Sequence, residues 1–260
     1  MKKAVFFDID GTLMDEHGCI PESTKEAVAG LRRNGHAAFI CTGRTKGFVR
    51  DENLLSIGFD GMIAGCGTYI EYSGKELFYY RMENEKVQKS LSVLKKYEMP
   101  VILEGREYLY MDYEAFKGEP YAQRVKREMG DYLLPITGNE AIWEISKFSA
   151  AGTEETYPLA VKELEKEYDV LVHGAHAIEF VTKGFSKASG IKQACEMLDI
   201  PWEATYAVGD SVNDLEMLSY VAHGIAMGNG TDVAKNAAEF VTTDIHEDGI
   251  WNGLKHYGLI

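Results

Sequence analysis

Acidic residues follow the first apolar run of the chain, where a buried strand is expected to end. The run AVFF leads directly into Asp8, Ile9 and Asp10. Two carboxylates one residue apart repel each other and lose hydration as the strand enters the core. This arrangement is costly unless a cation or a reaction requires it, so Asp8 and Asp10 are candidates for chemistry.

Three further stretches carry groups that could act together with these acids. Each of them, taken alone, also fits a turn, a helix cap or a solvent-exposed side chain. Their joint occurrence in one chain order favours a common site. The stretches are Thr42-Gly43-Arg44, Lys187, and Asp210 with Asn213 and Asp214 one helical turn later.

Together these groups supply what phosphoryl transfer from a monoester requires. A carboxylate can attack phosphorus and carry the phosphoryl group as an acyl phosphate. A second acid can protonate the leaving oxygen. A carboxylate pair such as Asp8 and Asp210 can hold Mg²⁺, a hard cation that prefers oxygen ligands. Lysine, threonine and backbone N–H groups can stabilise charge on the phosphoryl oxygens.

The hydrophobic pattern predicts the elements that would position these groups. A buried strand is expected at 3–9, a helix at 21–34, a second strand ending in Thr42-Gly43-Arg44, a polar helix at 46–56, and then a third strand. Apolar strands alternating with helices predict a parallel sheet with helices on both faces. Ligands bind at the carboxyl ends of the strands in such a sheet, which is where the four stretches fall.

The middle of the chain has a different pattern. Two expected hairpins with intervening helices indicate an α+β unit with an antiparallel sheet, and the strand–helix pattern returns afterwards. The sequence therefore predicts an α/β protein with a Rossmann-like parallel sheet core. Residues 1–82 and 183–260 form the expected core, and residues 83–182 form an inserted α+β domain.

Composition limits the classes of partner. The net charge of −14 over 260 residues argues against nucleic acid or an anionic membrane surface. The apolar run after Lys2 and Lys3 is too short for a signal peptide or a membrane span, and the cytoplasm is the expected location. The four cysteines lack metal-site spacing and are predicted to be free thiols. They are Cys19, Cys41, Cys66 and Cys195.

The motifs FFDIDGTL, CTGR, Lys187 and GDSVND, in this order, resemble the four motifs of the haloacid dehalogenase-like hydrolases. The position of the insert resembles the Cof-type, class IIB cap subfamily of sugar phosphatases. This resemblance implies a Mg²⁺-dependent phosphatase that hydrolyses small phosphorylated metabolites, sugar phosphates above all, through a phospho-aspartate. A phosphomutase or phosphotransferase of the same fold, or a catalytically silent sensor of a phosphorylated ligand, remains an alternative.

The resemblance also implies roles for individual residues. Asp8 would be the nucleophile and Asp10 the general acid and then base. Mg²⁺ would be held by Asp8, the backbone carbonyl of Asp10, and Asp210, with Asp214 in support. The phosphoryl oxygens would be held by Thr42, Gly43 and Lys187, with assistance from Asn213.

The insert would act as a cap that closes over the site and recognises the leaving group. One departure from the family pattern is visible at Cys66, where the family often has an asparagine, and this concerns a contact near the substrate. Candidates for leaving-group recognition are Arg44 of the core, and Glu104, Arg106, His173, His176 and Lys183 of the insert.

Overall fold

The computed structural model describes residues 2–173 and 177–260, which form two compact units. The first unit contains the chain up to Gly43, together with Arg50–Tyr79 and Ser186–Ile260. The second contains Arg44–Val49 and Tyr80–Phe185. The second unit therefore consists of two segments. One is the long segment that overlaps the expected insert, and the other is the six residues that directly follow Gly43.

The strands of the described residues alternate with helices in the first unit and form hairpins in the second. In chain order they are β1 (Ala4–Phe7), β2 (Ala37–Cys41), β3 (Gly61–Ala64), β4 (Tyr69–Tyr72), β5 (Lys75–Tyr79), β6 (Val101–Gly105), β7 (Leu109–Tyr110), β8 (Leu133–Leu134), β9 (Ile145–Ala151), β10 (Tyr168–His173), β11 (Ala177–Thr182), β12 (Thr205–Gly209), β13 (His223–Ala226) and β14 (Phe240–Val241).

The helices are short, and none in the described part of the chain is long and apolar enough to cross a membrane. They are α1 (Glu22–Arg33), α2 (Glu52–Ser56), α3 (Asn84–Lys96), α4 (Tyr113–Phe116), α5 (Pro120–Met129), α6 (Tyr157–Leu164), α7 (Lys187–Met197), α8 (Leu215–Tyr220), α9 (Asp232–Ala237) and α10 (Gly249–His256).

The first unit contains an eight-stranded sheet in the order β14-β13-β12-β1-β2-β3-β4-β5. The pairs from β14 to β3 are parallel, which confirms the predicted parallel sheet. The strands β4 and β5 extend one edge in the antiparallel sense, and β5 was not expected from the sequence.

The predicted helix at 46–56 is present only in its second half. A single 3₁₀ turn spans Lys46–Phe48, and the short helix α2 begins only at Glu52. The Asp51 side chain accepts a hydrogen bond of 2.8 Å from the Leu54 amide, so this residue caps a new helix instead of continuing an earlier one.

Helices cover the first sheet because its strands are apolar on both faces. Side chains of α7, α8 and α9, such as Ile191, Met217 and Ala234, pack with Phe6 and Phe39 of the central strands. On the second face, α1 contacts both β2 and α10. The carboxyl ends of the strands remain as the edge at which polar residues can gather.

The second unit contains a six-stranded sheet in the order β10-β11-β9-β6-β7-β8, antiparallel except for the pair β7–β8. This confirms the expected hairpins. One face packs through Phe148 and Phe180 against α3 and α6. On the opposite face, Ile102 packs with Ala122 and Val125 of α5.

Candidate active site

Three adjacent parallel strands place candidate residues at one edge of the first sheet. The strand β1 lies between β12 and β2, with Phe7 paired to Val208 on one side and Ile40 on the other. Each strand is followed directly by a candidate residue: β12 by Asp210, β1 by Asp8 and β2 by Thr42. Their side chains therefore leave the sheet at the same edge.

The turn after β1 differs from the sequence-based expectation. The strand ends at Phe7, before Asp8, and residues 9–14 form turns in which Asp10 and Met14 make an isolated bridge and the Gly11 amide donates to the Met14 carbonyl at 2.7 Å. Asp8 is buried, whereas Asp10 is exposed, so the two acids do not share one strand face. Gly11 has φ +82°, and a Cβ there would collide with the Asp210 carboxylate, so this turn requires glycine.

Lys187 is the first residue of α7, and its position is set by a capping box. The Ser186 hydroxyl accepts from the Ser189 amide at 3.2 Å, and the Ser189 hydroxyl accepts from the Ser186 amide at 2.8 Å. The Lys187 side chain is only 1% exposed, and its Nζ lies 2.6 Å from Oδ1 of Asp8 and 2.6 Å from Oδ1 of Asp214. Lys187 thus contacts both Asp8 and Asp214, which are 206 residues apart in the sequence.

The loop after β12 holds Asp214 in a defined orientation. Its Oδ2 accepts hydrogen bonds from the amides of Asp210 at 2.9 Å and Ser211 at 3.0 Å, while its Oδ1 faces Lys187. Asn213 lies nearby, and its Oδ1 accepts from the Ser211 hydroxyl at 2.7 Å and from Lys187 Nζ at 3.5 Å. Asp214 therefore orders the loop and the lysine at the same time.

Burial and like charges shift the pKa values of this group. Burial raises the pKa of Asp8 well above its ordinary value, and the charge of Asp214 adds to this while Lys187 opposes it. Burial, followed by the charge of Asp214, raises the pKa of Asp210 to about 6. Burial lowers the pKa of Lys187, but the charges of Asp214 and Asp8 outweigh it and raise that pKa overall. Lys187 therefore stays cationic, whereas ionisation of Asp8 and Asp210 is disfavoured.

These acids fit a divalent cation. One ligand oxygen from each of Asp8, Asp210 and Asp214 lies within 4.8 Å of the others. Lys187 can balance only one of the three negative charges, and the donors are hard oxygens of the kind that Mg²⁺ prefers. We call these four residues the Lys187 cluster.

The remaining predicted site residues are divided between the units. Thr42 and Gly43 are buried in the first unit, and the Thr42 carbonyl accepts from the Cys66 amide at 3.1 Å. Cys66 has φ +54°, an unusual conformation for a residue other than glycine. Arg44 belongs to the second unit, where its guanidinium carbon lies 5.5 Å from the centre of the Phe48 ring.

The insert candidates also have defined surroundings. Glu104 is buried, Arg106 forms a two-pronged ion pair with Glu144 at 2.8 and 3.1 Å, and Lys183 is exposed. His176 and the side chain of His173 lie outside the described residues.

Sequence reasoning assigned no role to two residues that stabilise this site. The Thr12 hydroxyl donates to Oδ1 of Asp210 at 2.9 Å, and the Asn229 amide donates to the Gly11 carbonyl at 2.7 Å. Thr12 stands in the first motif, so its spacing from Asp8 was an available signal. Asn229 lies between two glycines, which indicate a turn but not its partner.

The fold and the buried acid–lysine group define a phosphoryl-transfer type of α/β hydrolase. The sequence profile of the haloacid dehalogenase-like hydrolases matches residues 5–254, and the chain belongs to this family. Its members include phosphatases, and this protein is a phosphatase enzyme of that family.

Individual relatives agree with this membership. The Bacillus subtilis (strain 168) protein named "Putative phosphatase YkrA" is 32% identical over 99% of this chain and 98% of its own length. A crystal structure of a Geobacillus kaustophilus HTA426 protein matches with TM-score 0.87 and 31% identity, covering 100% of both chains. The HAD subclass IIB sugar phosphatase BT4131 matches with TM-score 0.84 and 28% identity, again covering 100% of both chains.

Proposed function

We propose that this protein is a Mg²⁺-dependent phosphatase that hydrolyses small phosphorylated metabolites, with sugar phosphates as the leading substrate class, through a phospho-aspartate at Asp8. The observation that carries the proposal is the contact of Lys187 Nζ with both Asp8 and Asp214 at 2.6 Å, beside the Asp210 carboxylate. Sugar phosphates are favoured because BT4131, a relative of full-length similarity, is named a sugar phosphatase.

The proposed reaction has two steps. An oxygen of Asp8 attacks phosphorus, the bond from phosphorus to the leaving oxygen breaks, and Asp10 gives that oxygen its proton. Asp10 then takes a proton from water, the water oxygen attacks phosphorus, and the Asp8 carboxylate is released with inorganic phosphate. Lys187, Thr42 and Gly43 hold the phosphoryl oxygens, and Asn213 assists them.

The metal would be held by Asp8, Asp210 and the backbone carbonyl of Asp10, with Asp214 in support. When bound, Mg²⁺ supplies positive charge that offsets the negative charge of the carboxylates and of the phosphoryl group. Lys187 orients Asp8, because a hydrogen bond to Oδ1 restricts the rotation of the carboxylate.

The test is release of inorganic phosphate from a panel of sugar phosphates, nucleotides and phosphorylated cofactors, with Mg²⁺ and with EDTA. We expect turnover only with Mg²⁺, and a loss of at least about 10⁴-fold in Asp8→Asn, because this change removes the nucleophile. Circular dichroism of Asp8→Asn controls for folding. Turnover unaffected by this substitution would refute the mechanism.

Product analysis separates the alternatives. With two sugars present, appearance of a new sugar phosphate would support a phosphotransferase, and free phosphate alone supports the hydrolase. Binding of phosphorylated ligands without any product would support a sensor.

A further inference from the structure

The loop between β13 and α9 packs against the proposed metal ligands, and all of its contacts described below lie within the first unit. We call residues 228–231 the Asn229 loop. The Thr231 amide donates to the Asp210 carbonyl at 2.8 Å, and a Cβ on Gly230 would lie 2.9 Å from the same oxygen. The absence of a side chain at residue 230 therefore lets the loop approach the main chain of Asp210 closely.

Asn229 uses both ends of its side-chain amide. Its Nδ2 donates to the Gly11 carbonyl at 2.7 Å, and its Oδ1 accepts from the Ile245 amide at 3.0 Å. Because a backbone carbonyl can only accept and a backbone amide can only donate, these partners define the orientation of the side chain. Asn229 thus connects the turn after β1 with the segment after β14.

The peptide group before Gly11 carries the proposed metal ligand of the turn, which is the Asp10 carbonyl. In a trans peptide this carbonyl and the Gly11 N–H lie in one plane and point in opposite directions. The Gly11 N–H donates to the Met14 carbonyl at 2.7 Å, so the Asp10 carbonyl is directed away from Met14. Gly11 itself has φ +82° and no side chain to restrict its torsions, so this direction depends on both neighbouring peptide groups.

The peptide group after Gly11 is restrained mainly by Asn229. Its carbonyl accepts the 2.7 Å hydrogen bond from Asn229, whereas its N–H, which belongs to Thr12, makes a longer bond of 3.3 Å to the Ile9 carbonyl. The Thr12 hydroxyl in turn donates to Oδ1 of Asp210 at 2.9 Å. Rotation of this peptide group would therefore disturb Gly11 and the contact with Asp210 together.

We infer that Asn229, acting through Gly11, is a positioning residue for Asp10. This inference rests on the proposed function, in which the Asp10 carbonyl is a Mg²⁺ ligand and its side chain is the general acid and base. Asn229 is assigned no contact with metal or substrate. It fixes the main chain that directs both groups of Asp10.

The two hydrogen bonds of Asn229 can be separated by substitution. Asn229→Ala removes both of them. Asn229→Asp keeps an acceptor for the Ile245 amide but places an oxygen that repels the Gly11 carbonyl where the donor was. If Asn229 only fastened the segment after β14, Asn229→Asp would retain the function that Asn229→Ala loses. Positioning of Asp10 predicts that both variants lose it.

Asn34 provides a matched control in the same unit. Its Nδ2 donates to the Leu259 carbonyl at 3.0 Å, and it is exposed, as Asn229 is. It lies at the end of α1 and belongs to no part of the proposed machinery. Asn34→Ala and Asn34→Asp therefore make the same chemical changes at a comparable hydrogen bond.

The first measurement is calorimetric titration of the full protein with MgCl₂ in the absence of substrate. We expect Asn229→Ala to lower the Mg²⁺ affinity by about threefold to tenfold, a modest effect because water competes for an exposed hydrogen bond. Asn34→Ala should stay within about twofold of wild type. Only the alanine variants are compared here, because the added charge of Asn229→Asp would itself attract the cation.

The second measurement is phosphate release from the best substrate of the panel, at saturating Mg²⁺. Both Asn229 variants should lower kcat by about tenfold and leave KM within about twofold, because a misdirected Asp10 acts on the transition state more than on substrate binding. Both Asn34 variants should keep kcat within about twofold. Urea unfolding should show similar losses of stability for Asn229→Ala and Asn34→Ala, so stability would not explain the difference.

Lower Mg²⁺ affinity and lower kcat in Asn229→Ala, together with lower kcat in Asn229→Asp, support the inference. Unchanged Mg²⁺ affinity or unchanged kcat in Asn229→Ala overturns it, as does wild-type kcat in Asn229→Asp or an equal fall in the Asn34 variants. A wild-type protein that binds Mg²⁺ but releases no phosphate from any ester would refute the proposed function alone. The titration with MgCl₂ would then still decide the inference, since it needs no turnover.

Discussion

Among the residues that the structure describes, two lysines are fully buried, Lys147 and Lys187, and each lies between carboxylates in different surroundings. In the Lys187 cluster, one lysine faces three acids where parallel strands end. In the second group, which we call the Lys147 cluster, Lys147 faces Glu104 at 3.6 Å and Glu179 at 2.8 Å in the middle of antiparallel strands. The excess of negative charge and the open strand ends make the first group suitable for a cation and a reaction, whereas the second is mostly satisfied by its own members.

The pKa values of carboxyl groups in both clusters are raised, and the clusters differ in what opposes the rise. Burial and the charge of Glu179 raise the pKa of Glu104, whereas Lys147 and the hydroxyls of Ser149 and Thr45 act in the opposite direction. In the Lys187 cluster, burial and the additional acids together hold the pKa of Asp210 at about 6. A buried lysine–carboxylate pair is therefore not by itself an active site, and the uncompensated third acid is what separates the two groups.

The largest expected effect concerns the acids of the first cluster. Asp10→Asn should lower turnover by about 10²- to 10⁴-fold, because a general acid is lost. Its Mg²⁺ affinity should remain, since the backbone carbonyl is the proposed ligand, whereas Asp210→Ala should lose Mg²⁺ binding. Calorimetric titration with Mg²⁺ measures both variants. If Asp10→Asn lost the metal as severely as Asp210→Ala, the two roles would have to be reassigned.

The two lysines provide a direct test of the comparison. Lys187→Met and Lys147→Met each remove the buried cation that faces the carboxylates of its cluster, and each should lower the free energy of unfolding by about 3–5 kcal/mol. Only Lys187→Met should also lower kcat/KM by about 10²- to 10³-fold, because it removes charge next to the phosphoryl group. For Lys147→Met we expect kcat/KM to stay within about twofold of wild type, because Lys147 is not a member of the Lys187 cluster.

Urea unfolding measures the stability of each variant, and kcat/KM is measured without urea, where both variants are folded. Equal losses of activity in the two variants would contradict the distinction between the clusters.

The smallest effect is a pH-dependent change in stability of the metal-free protein. A carboxyl group whose folded pKa is raised from 3.8 to about 6 destabilises the folded state above pH 6, and this effect disappears as the pH falls towards 4. Asp210→Asn removes the charge, so at pH 7–8 in EDTA the variant should be more stable than wild type by about 2–3 kcal/mol.

This gain should shrink as the pH is lowered to 5, and saturating Mg²⁺ should reverse its sign, because only wild type retains the ligand. Urea unfolding of both proteins from pH 5 to pH 8 provides the measurement. A difference that does not change with pH would show that ionisation of Asp210 is not its cause.

Much of the fold and of the candidate site could be predicted from the sequence because the signals are local. Apolar runs that end in Asp8, Thr42 and Asp210 identify parallel strands and the edge at which their polar residues meet. The turn after β1 was less predictable, because the exposure of Asp10 depends on how residues 8–11 fold against Asp210.

The sequence by itself determined the types and order of the reactive residues, since side-chain chemistry and strand pattern can be read from neighbouring positions. The tertiary structure alone decided that Lys147, which alternates with apolar residues in β9 like a solvent-facing residue, is buried against Glu104. It also decided that Thr45 joins the second unit. The physical reason is that burial and pairing depend on segments distant in sequence, which local patterns cannot specify.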